Sequence, residues 1–246
     1  MAKFIDVKCD NYTIEMISNG VSNPRAIILF MHGFNGDRWG DGYDRLKHTF
    51  EDVLVCSYDS AGHGKSEVSS LDMRLNIVCR ETEVIMEYLD NKYKGVPVIV
   101  IATSYGAYRT MYYLFNNVKN NVKHVICINP AFKMLSILER IKEFKYEDLK
   151  DGDLVVMKRS LNKYVSKAFI DDLYYFDVYK FMSFISTPIT LVVGLKDDLI
   201  PRSDINEFID LTNCNAIYVN DGHLLENDDS WVDVIELIRG ILWKEI

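Results

Sequence analysis

The feature that most constrains this chain is a series of short, nearly unbroken apolar runs separated by helical patterns. Ala26-Ile27-Ile28-Leu29-Phe30-Met31, Val53-Leu54-Val55-Cys56-Ser57-Tyr58 and Ile99-Val100-Ile101-Ala102 lack the alternation of a half-exposed strand. Runs of that length and β-branched content read as strands covered on both faces. Val122 to Ile128, Pro188 to Val193 and Ala216 to Val219 continue the series. Between the runs, apolar residues recur at helical spacing. Leu71, Leu75, Val78, Ile85 and Leu89 share one face of a helix predicted over 71–92. Weaker patterns cover 41–50 and 203–211, and Trp231 to Trp243 forms an amphipathic closing helix. Strands alternating with helices imply βαβ units, right-handed crossovers and a mostly parallel sheet. Only residues 3–8 and 11–18 alternate apolar with polar, as an antiparallel pair at a sheet edge does. The fold class expected is therefore α/β, a mostly parallel central sheet flanked by helices.

One segment breaks the alternation. Residues 131–186 carry helical patches but no convincing strand, and hold Phe132, Met134, Leu135, Ile137, Leu138, Phe144 and Tyr146, then Leu173-Tyr174-Tyr175-Phe176. Insertions of that length are usually functional. The expectation is a core made of 1–130 and 187–246, with 131–186 inserted as a cap that covers the site and lines its pocket; the alternative is a structural excursion whose apolar residues pack on the sheet.

The third apolar run ends abruptly in Ala102-Thr103-Ser104-Tyr105-Gly106, and a helical pattern follows at once. A strand–turn–helix of this kind presents a serine at the tip of a sharp turn, with small residues two positions either side where backbones approach closely. Ala102 stands where glycine is usual, and its methyl group could crowd the turn. Ser104 could also be a plain helix cap, so the rest of the chain must decide.

A serine hydroxyl needs a base within hydrogen-bond reach, itself oriented by a third group. His223 follows the last apolar run in Val219-Asn220-Asp221-Gly222-His223, whereas His48 and His124 read as surface or packing residues. Asp197 and Asp198, in Gly194-Leu195-Lys196-Asp197-Asp198-Leu199-Ile200-Pro201, follow an earlier strand. Being adjacent they point different ways, and only one can face His223. The order Ser, Asp, His is that of nucleophile-elbow hydrolases.

These blocks, with His32-Gly33-Phe34 and Asp59-Ser60-Ala61-Gly62-His63-Gly64-Lys65-Ser66, make the sequence resemble the α/β-hydrolase superfamily over nearly its whole length. Within it the chain is most similar to small capped esterases of the cinnamoyl/feruloyl type and to monoacylglycerol-lipase-like enzymes. The resemblance implies Ser104 as nucleophile, His223 as base and Asp197 as acid, since the family's Gly-x-x-Asp-x-x-Ile/Val-Pro matches Gly194, Asp197, Ile200 and Pro201. It further implies an oxyanion hole formed by the backbone N–H groups of Phe34 and Tyr105. His32 and the turn 59–66, His63 included, become structural.

The function expected is cleavage of a carboxylic ester through an acyl-enzyme, on a small-molecule ester, with no cofactor and no metal. The alternatives are a peptidase, amidase or thioesterase using the same residues, or a non-catalytic small-molecule binding protein of this fold. Tyr174, Tyr175 and Phe176 would suit an aryl acid, although cap aromatics also simply pack. A formal net charge of −8 speaks against nucleic acid or an anionic membrane as partner. Five scattered cysteines without a Cys-x-x-Cys pair, no signal-like N-terminus and no apolar run of membrane length suggest a cytoplasmic protein with reduced thiols.

Overall fold

A computed structural model describes residues 2–245, the side chains of Arg159 and Glu245 excepted. The chain opens with β1 (Lys3–Cys9) and β2 (Tyr12–Ser18), then β3 (Ala26–Met31), α1 (Asp41–Leu46), β4 (Val53–Tyr58) and α2 (Leu75–Lys92). β5 (Val98–Thr103), α3 (Tyr105–Asn116) and β6 (Val122–Ile128) follow. The next stretch holds α4 (Met134–Lys142), β7 (Leu154–Lys158), β8 (Lys163–Ser166), α5 (Lys167–Tyr175) and α6 (Val178–Phe181). The chain closes with β9 (Ile189–Gly194), α7 (Arg202–Thr212), β10 (Asn215–Val219) and α8 (Asp228–Glu245).

Eight strands form one sheet in the order β1-β2-β4-β3-β5-β6-β9-β10. β1 and β2 pair antiparallel, β2 joins β4 antiparallel, and the remaining neighbours are all parallel. The continuous apolar runs are explained by two cores. Ile27, Leu29 and Met31 of β3 with Val98, Val100 and Ala102 of β5 face one core, against α2 and α3. Ala26, Ile28 and Phe30 with Ile99 and Ile101 face the other, against α1 and α8. Every β3 side chain, and every β5 side chain up to Ala102, is thus buried whichever way it points, and this α/β-hydrolase fold has both sheet faces covered. No described helix is long and apolar enough to cross a membrane.

Two local expectations are corrected. The helix expected from 71 begins at Leu75, and Leu71 lies outside it, exposed. Its start is fixed from across the fold. Asp172 of α5 accepts the Leu75 amide at 2.9 Å and grips the Arg74 guanidinium at 2.7 and 2.6 Å, doing the work of an N-cap residue that Arg74 cannot do. The segment 131–186 is also not strandless, for β7 and β8 form an antiparallel hairpin. Its signals are the alternating buried Val155 and Met157, and Asn162 at a φ of 49° in the turn.

Asp59 and its turn are structural. Its carboxylate accepts the Arg38 amide at 2.6 Å, the Lys65 amide at 2.8 Å and the Arg38 guanidinium at 3.0 Å, and Arg38 also pairs with Glu15. Gly64, at a φ of 47°, packs so tightly on this carboxylate that no side chain could fit. His32 ties the neighbouring loop down. Its Nδ1–H donates to the Gly33 carbonyl at 2.9 Å, and its Nε2 accepts the Ser60 amide at 3.2 Å.

Candidate active site

Ser104 sits between the end of β5 and the start of α3 with φ 51° and ψ −118°. A non-glycine residue there is strained and persists only when its surroundings hold it. They do: the Ser104 amide donates to Ile128 O at 2.9 Å, and its carbonyl accepts the Ala107 and Ala131 amides at 3.0 and 3.2 Å. Gly106 makes the turn possible, because any Cβ there would land on the Met31 carbonyl oxygen. Ala102 is accommodated as an ordinary strand residue, fully buried and paired with Met31 on one side and Cys127 on the other.

His223 comes from the loop after β10 and Asp197 from the loop after β9. His223 Nε2 lies 3.0 Å from Ser104 Oγ, and its Nδ1 lies 2.8 Å from Asp197 Oδ2. With Asp197 as acceptor, Nδ1 carries the proton and Nε2 presents its lone pair to the serine hydroxyl. The Asp197 side chain is 4% exposed, and its Oδ1 accepts the amides of Leu199 and Ile200 at 2.8 and 3.0 Å. Asp198, its neighbour, is exposed to solvent. His48 lies in the turn after α1, and His124 in β6 bonds to Thr190 at 2.9 Å.

The residue that ties the two loops together carries no signal in the local sequence. Asn129, just past β6 at a φ of 44°, accepts the Gly194 amide on Oδ1 at 2.7 Å. Its Nδ2 donates to the carbonyls of Gly222 and His223 at 3.0 and 2.9 Å. The roots of the Asp197 and His223 loops therefore share one amide side chain. Within the His223 loop, Asp221 accepts the Gly222 and Asn227 amides at 2.8 and 2.9 Å. Burial works against ionising Asp221, but those amides, together with the Ser230 hydroxyl and the Glu226 amide, outweigh it and hold its carboxyl below the usual range.

Gly33 packs on the serine, where an added Cβ would stand 3.2 Å from Ser104 Cβ. The next residue, Phe34, lies edge-on to Tyr105 at 5.5 Å and stacks with Phe169 of α5 at 6.4 Å. Tyr105 follows Ser104 in the chain and Phe34 follows Gly33, which packs on the serine; the rings of both meet Phe169 of α5. Beneath them His63 stacks on Tyr105 at 5.9 Å and donates from Nδ1 to Ala61 O at 2.9 Å. Burial pushes the His63 imidazole down to about 3, so it stays neutral, and His63 stands apart from the serine.

A cavity of about 510 Å³ opens at Ser104 and His223. Its walls are largely apolar: Met134, Ile137 and Ile141 of α4, with Phe34, Leu199, Leu224 and Trp231. Tyr174, Tyr175 and Phe176 take no part in it. Phe176 packs against Tyr108, Tyr112 and Phe181, and Tyr174 stacks on Tyr146 at 4.1 Å while Tyr175 stays exposed. The rings of this run pack on α3, α6 and Tyr146 or lie in solvent, and none lines the cavity.

A strained serine, an imidazole and a carboxylate in one hydrogen-bonded line are what a hydrolase elbow requires. The model of the serine aminopeptidase S33 hydrolase family matches residues 22–167, more than half of the chain. The chain belongs to that family. The S33 match takes in Gly33, Phe34 and Ser104, whereas Asp197 and His223 lie beyond it and are placed by the fold. Among solved structures the chain is similar to Est1E from Butyrivibrio proteoclasticus with ferulic acid bound, at a TM-score of 0.85 and 18% identity, covering 98% of this chain and 100% of that one. An esterase of Pyrococcus furiosus gives 0.73 and 16%, covering 99% and 91%. Mouse alpha/beta hydrolase domain-containing protein 10 gives 0.75 and 14%, covering the whole of both chains. At these identities the likeness is one of fold. No curated protein sequence matches the chain.

Proposed function

We propose that this S33-family protein is a serine hydrolase that cleaves a carboxylic ester of a small molecule through an acyl-enzyme. The observation that carries the reading is the line Asp197 Oδ2–His223–Ser104 Oγ, at 2.8 and 3.0 Å, ending in the mouth of an apolar cavity. His223 Nε2 takes the Ser104 proton as Oγ attacks the acyl carbonyl. The carbonyl oxygen becomes an oxyanion, received by the backbone N–H groups of Phe34 and Tyr105; such a donor is typically worth ~10²-fold or more in rate. The imidazolium, steadied by Asp197, then gives its proton to the departing alcohol. A water activated by the same imidazole releases the acid.

Segment 131–186 acts as the cap in this reading, since α4 supplies three apolar walls of the cavity and α5 packs over Phe34. The apolar lining favours an acyl chain or an aryl acid over a charged group beside the reacting carbon. The ferulic acid bound to Est1E, whose fold this chain shares, is compatible with that choice. The second reading is an amide or peptide bond, favoured by the family's own description. A panel of p-nitrophenyl esters run beside aminoacyl p-nitroanilides separates the two. The ester reading expects kcat/KM on the best ester to exceed that on every anilide. Faster anilide cleavage would replace it with the amidase.

A further inference from the structure

Beyond the serine cavity lies a second recess of about 270 Å³, and the two share Asn35, Gly36 and Asp37 as a common wall. Three lysines reach it from separate parts of the chain: Lys65 from the turn after β4, Lys158 from the end of β7 and Lys163 from the start of β8. Lys158 and Lys163 are direct partners in the hairpin register. Like charges placed opposite each other destabilise a strand pair unless an anion lies between or beside them. Among the described residues none of the three ammonium groups forms an ion pair. Lys163 Nζ donates to the Gly62 carbonyl at 3.4 Å, its one hydrogen bond among the described residues.

The other charges around the recess are largely spoken for. Asp59 is occupied by Arg38 and by the Arg38 and Lys65 amides, and Arg38 by Asp59 and Glu15. Asp37 is exposed at the shared wall, and one of its oxygens accepts the Trp39 amide at 2.8 Å. The wall itself is anchored to the hairpin, because Asn35 Nδ2 donates to Met157 O at 3.1 Å. A chain with a net charge of −8 has thus gathered three unpaired cations beside its candidate active site. Ammonium groups so placed attract oxyanions by charge and by hydrogen bonding.

We propose that this recess is an anion subsite: Lys65, Lys158 and Lys163 hold a carboxylate or phosphate at the far end of the ester whose reacting carbonyl lies at Ser104. The proposal rests on the acyl-transfer reading and narrows its substrate to esters with an apolar middle and an anionic end. The spacer has to pass the Asn35–Asp37 wall, so the preference depends on its length.

The test uses p-nitrophenyl esters of dicarboxylic acids of graded length, each beside its methyl-capped neutral twin. A second series carries the carboxylate on the alcohol side, and a third replaces carboxylate by phosphate. The quantity read is the charged-to-neutral ratio of kcat/KM, which divides out any general effect of a substitution. The ratio exceeds one at an optimal length and falls about tenfold in the Lys158→Met, Lys163→Met double variant. Lys65→Met lowers it as well, and raised salt flattens it. The third series shows which oxyanion is preferred.

A ratio of one at every length, or one the lysine variants leave unchanged, overturns the subsite. So does inorganic phosphate or succinate that binds without competing with the charged ester, which would make the recess an effector site. If no ester is turned over, the acyl-transfer reading fails by itself. The subsite is then judged by calorimetric binding of the charged and neutral twins to the Ser104→Ala protein, with and without the lysine substitutions.

Discussion

The Asn129 side chain donates a hydrogen bond to the backbone carbonyl of His223 at 2.9 Å while accepting one from the Gly194 amide at 2.7 Å. The imidazole and the carboxylate that holds it are therefore registered to each other through the end of β6, and not only by their own contact. Removing that amide frees both loops at once.

Asn129→Ala is expected to lower kcat on a p-nitrophenyl ester by about 10- to 100-fold, because small misplacements of reacting groups are costly. KM should change little, since Asn129 does not line the cavity. Asn129→Asp keeps the acceptor for Gly194 but sets a carboxylate oxygen against the carbonyls of Gly222 and His223, and should cost at least as much as Asn129→Ala. Steady-state kinetics check this, and a loss confined to KM would remove Asn129 from its positioning role.

Gly106 and Ala102 flank the elbow, and only Gly106 is held to its size by the backbone against it. Gly106→Ala drives a methyl into the Met31 carbonyl and should cost about 2 kcal/mol or more, with labelling of Ser104 lost. Ala102→Gly only loosens a paired strand residue, at roughly 1 kcal/mol, and should leave the serine reactive. Urea melts of both variants decide it; an undisturbed Gly106→Ala protein would contradict the packing.

Glu81 of α2 is buried, accepting the Ala61 amide at 2.7 Å and the Tyr12 hydroxyl at 3.1 Å. Burial raises its carboxyl to about 7 from an ordinary 4.5, against the pull of those donors and of Arg109. Between these values the folded protein keeps a proton that the unfolded chain has released. Glu81 therefore makes stability fall as pH rises from 4.5 to 7, and adds no further slope above that. The Glu81→Gln variant should gain on the natural protein across that window, by roughly 3 kcal/mol at most. Urea melts at the two ends measure it. A stability difference that does not change with pH would mean that only hydrogen bonds were altered.

What could be read from the sequence was whatever is local along the chain. Six apolar runs announced the parallel strands because both sheet faces are covered, and Val100, Ala102 and Ile101 are buried whichever way they point. The elbow was readable because Ala102, Ser104 and Gly106 sit within one turn, and the placing of Asp197 and His223 at strand ends followed from the alternation. What was not readable depends on distant partners. Asn129 meets residues 65 and 93 positions away, and Asp172 starts α2 from 97 positions away. The β7–β8 hairpin leaves only a faint pattern, because Leu154 to Lys158 holds just two buried residues, Val155 and Met157.

The central claim is that Ser104 is an activated nucleophile, and covalent labelling tests it most directly. The protein is treated with a fluorophosphonate, digested, and the modified peptide sequenced by mass spectrometry. One adduct is expected, on Ser104, absent in Ser104→Ala and formed at least ~10³-fold more slowly in His223→Ala. No adduct on the natural protein, or equal labelling of the Ser104→Ala protein, would contradict it.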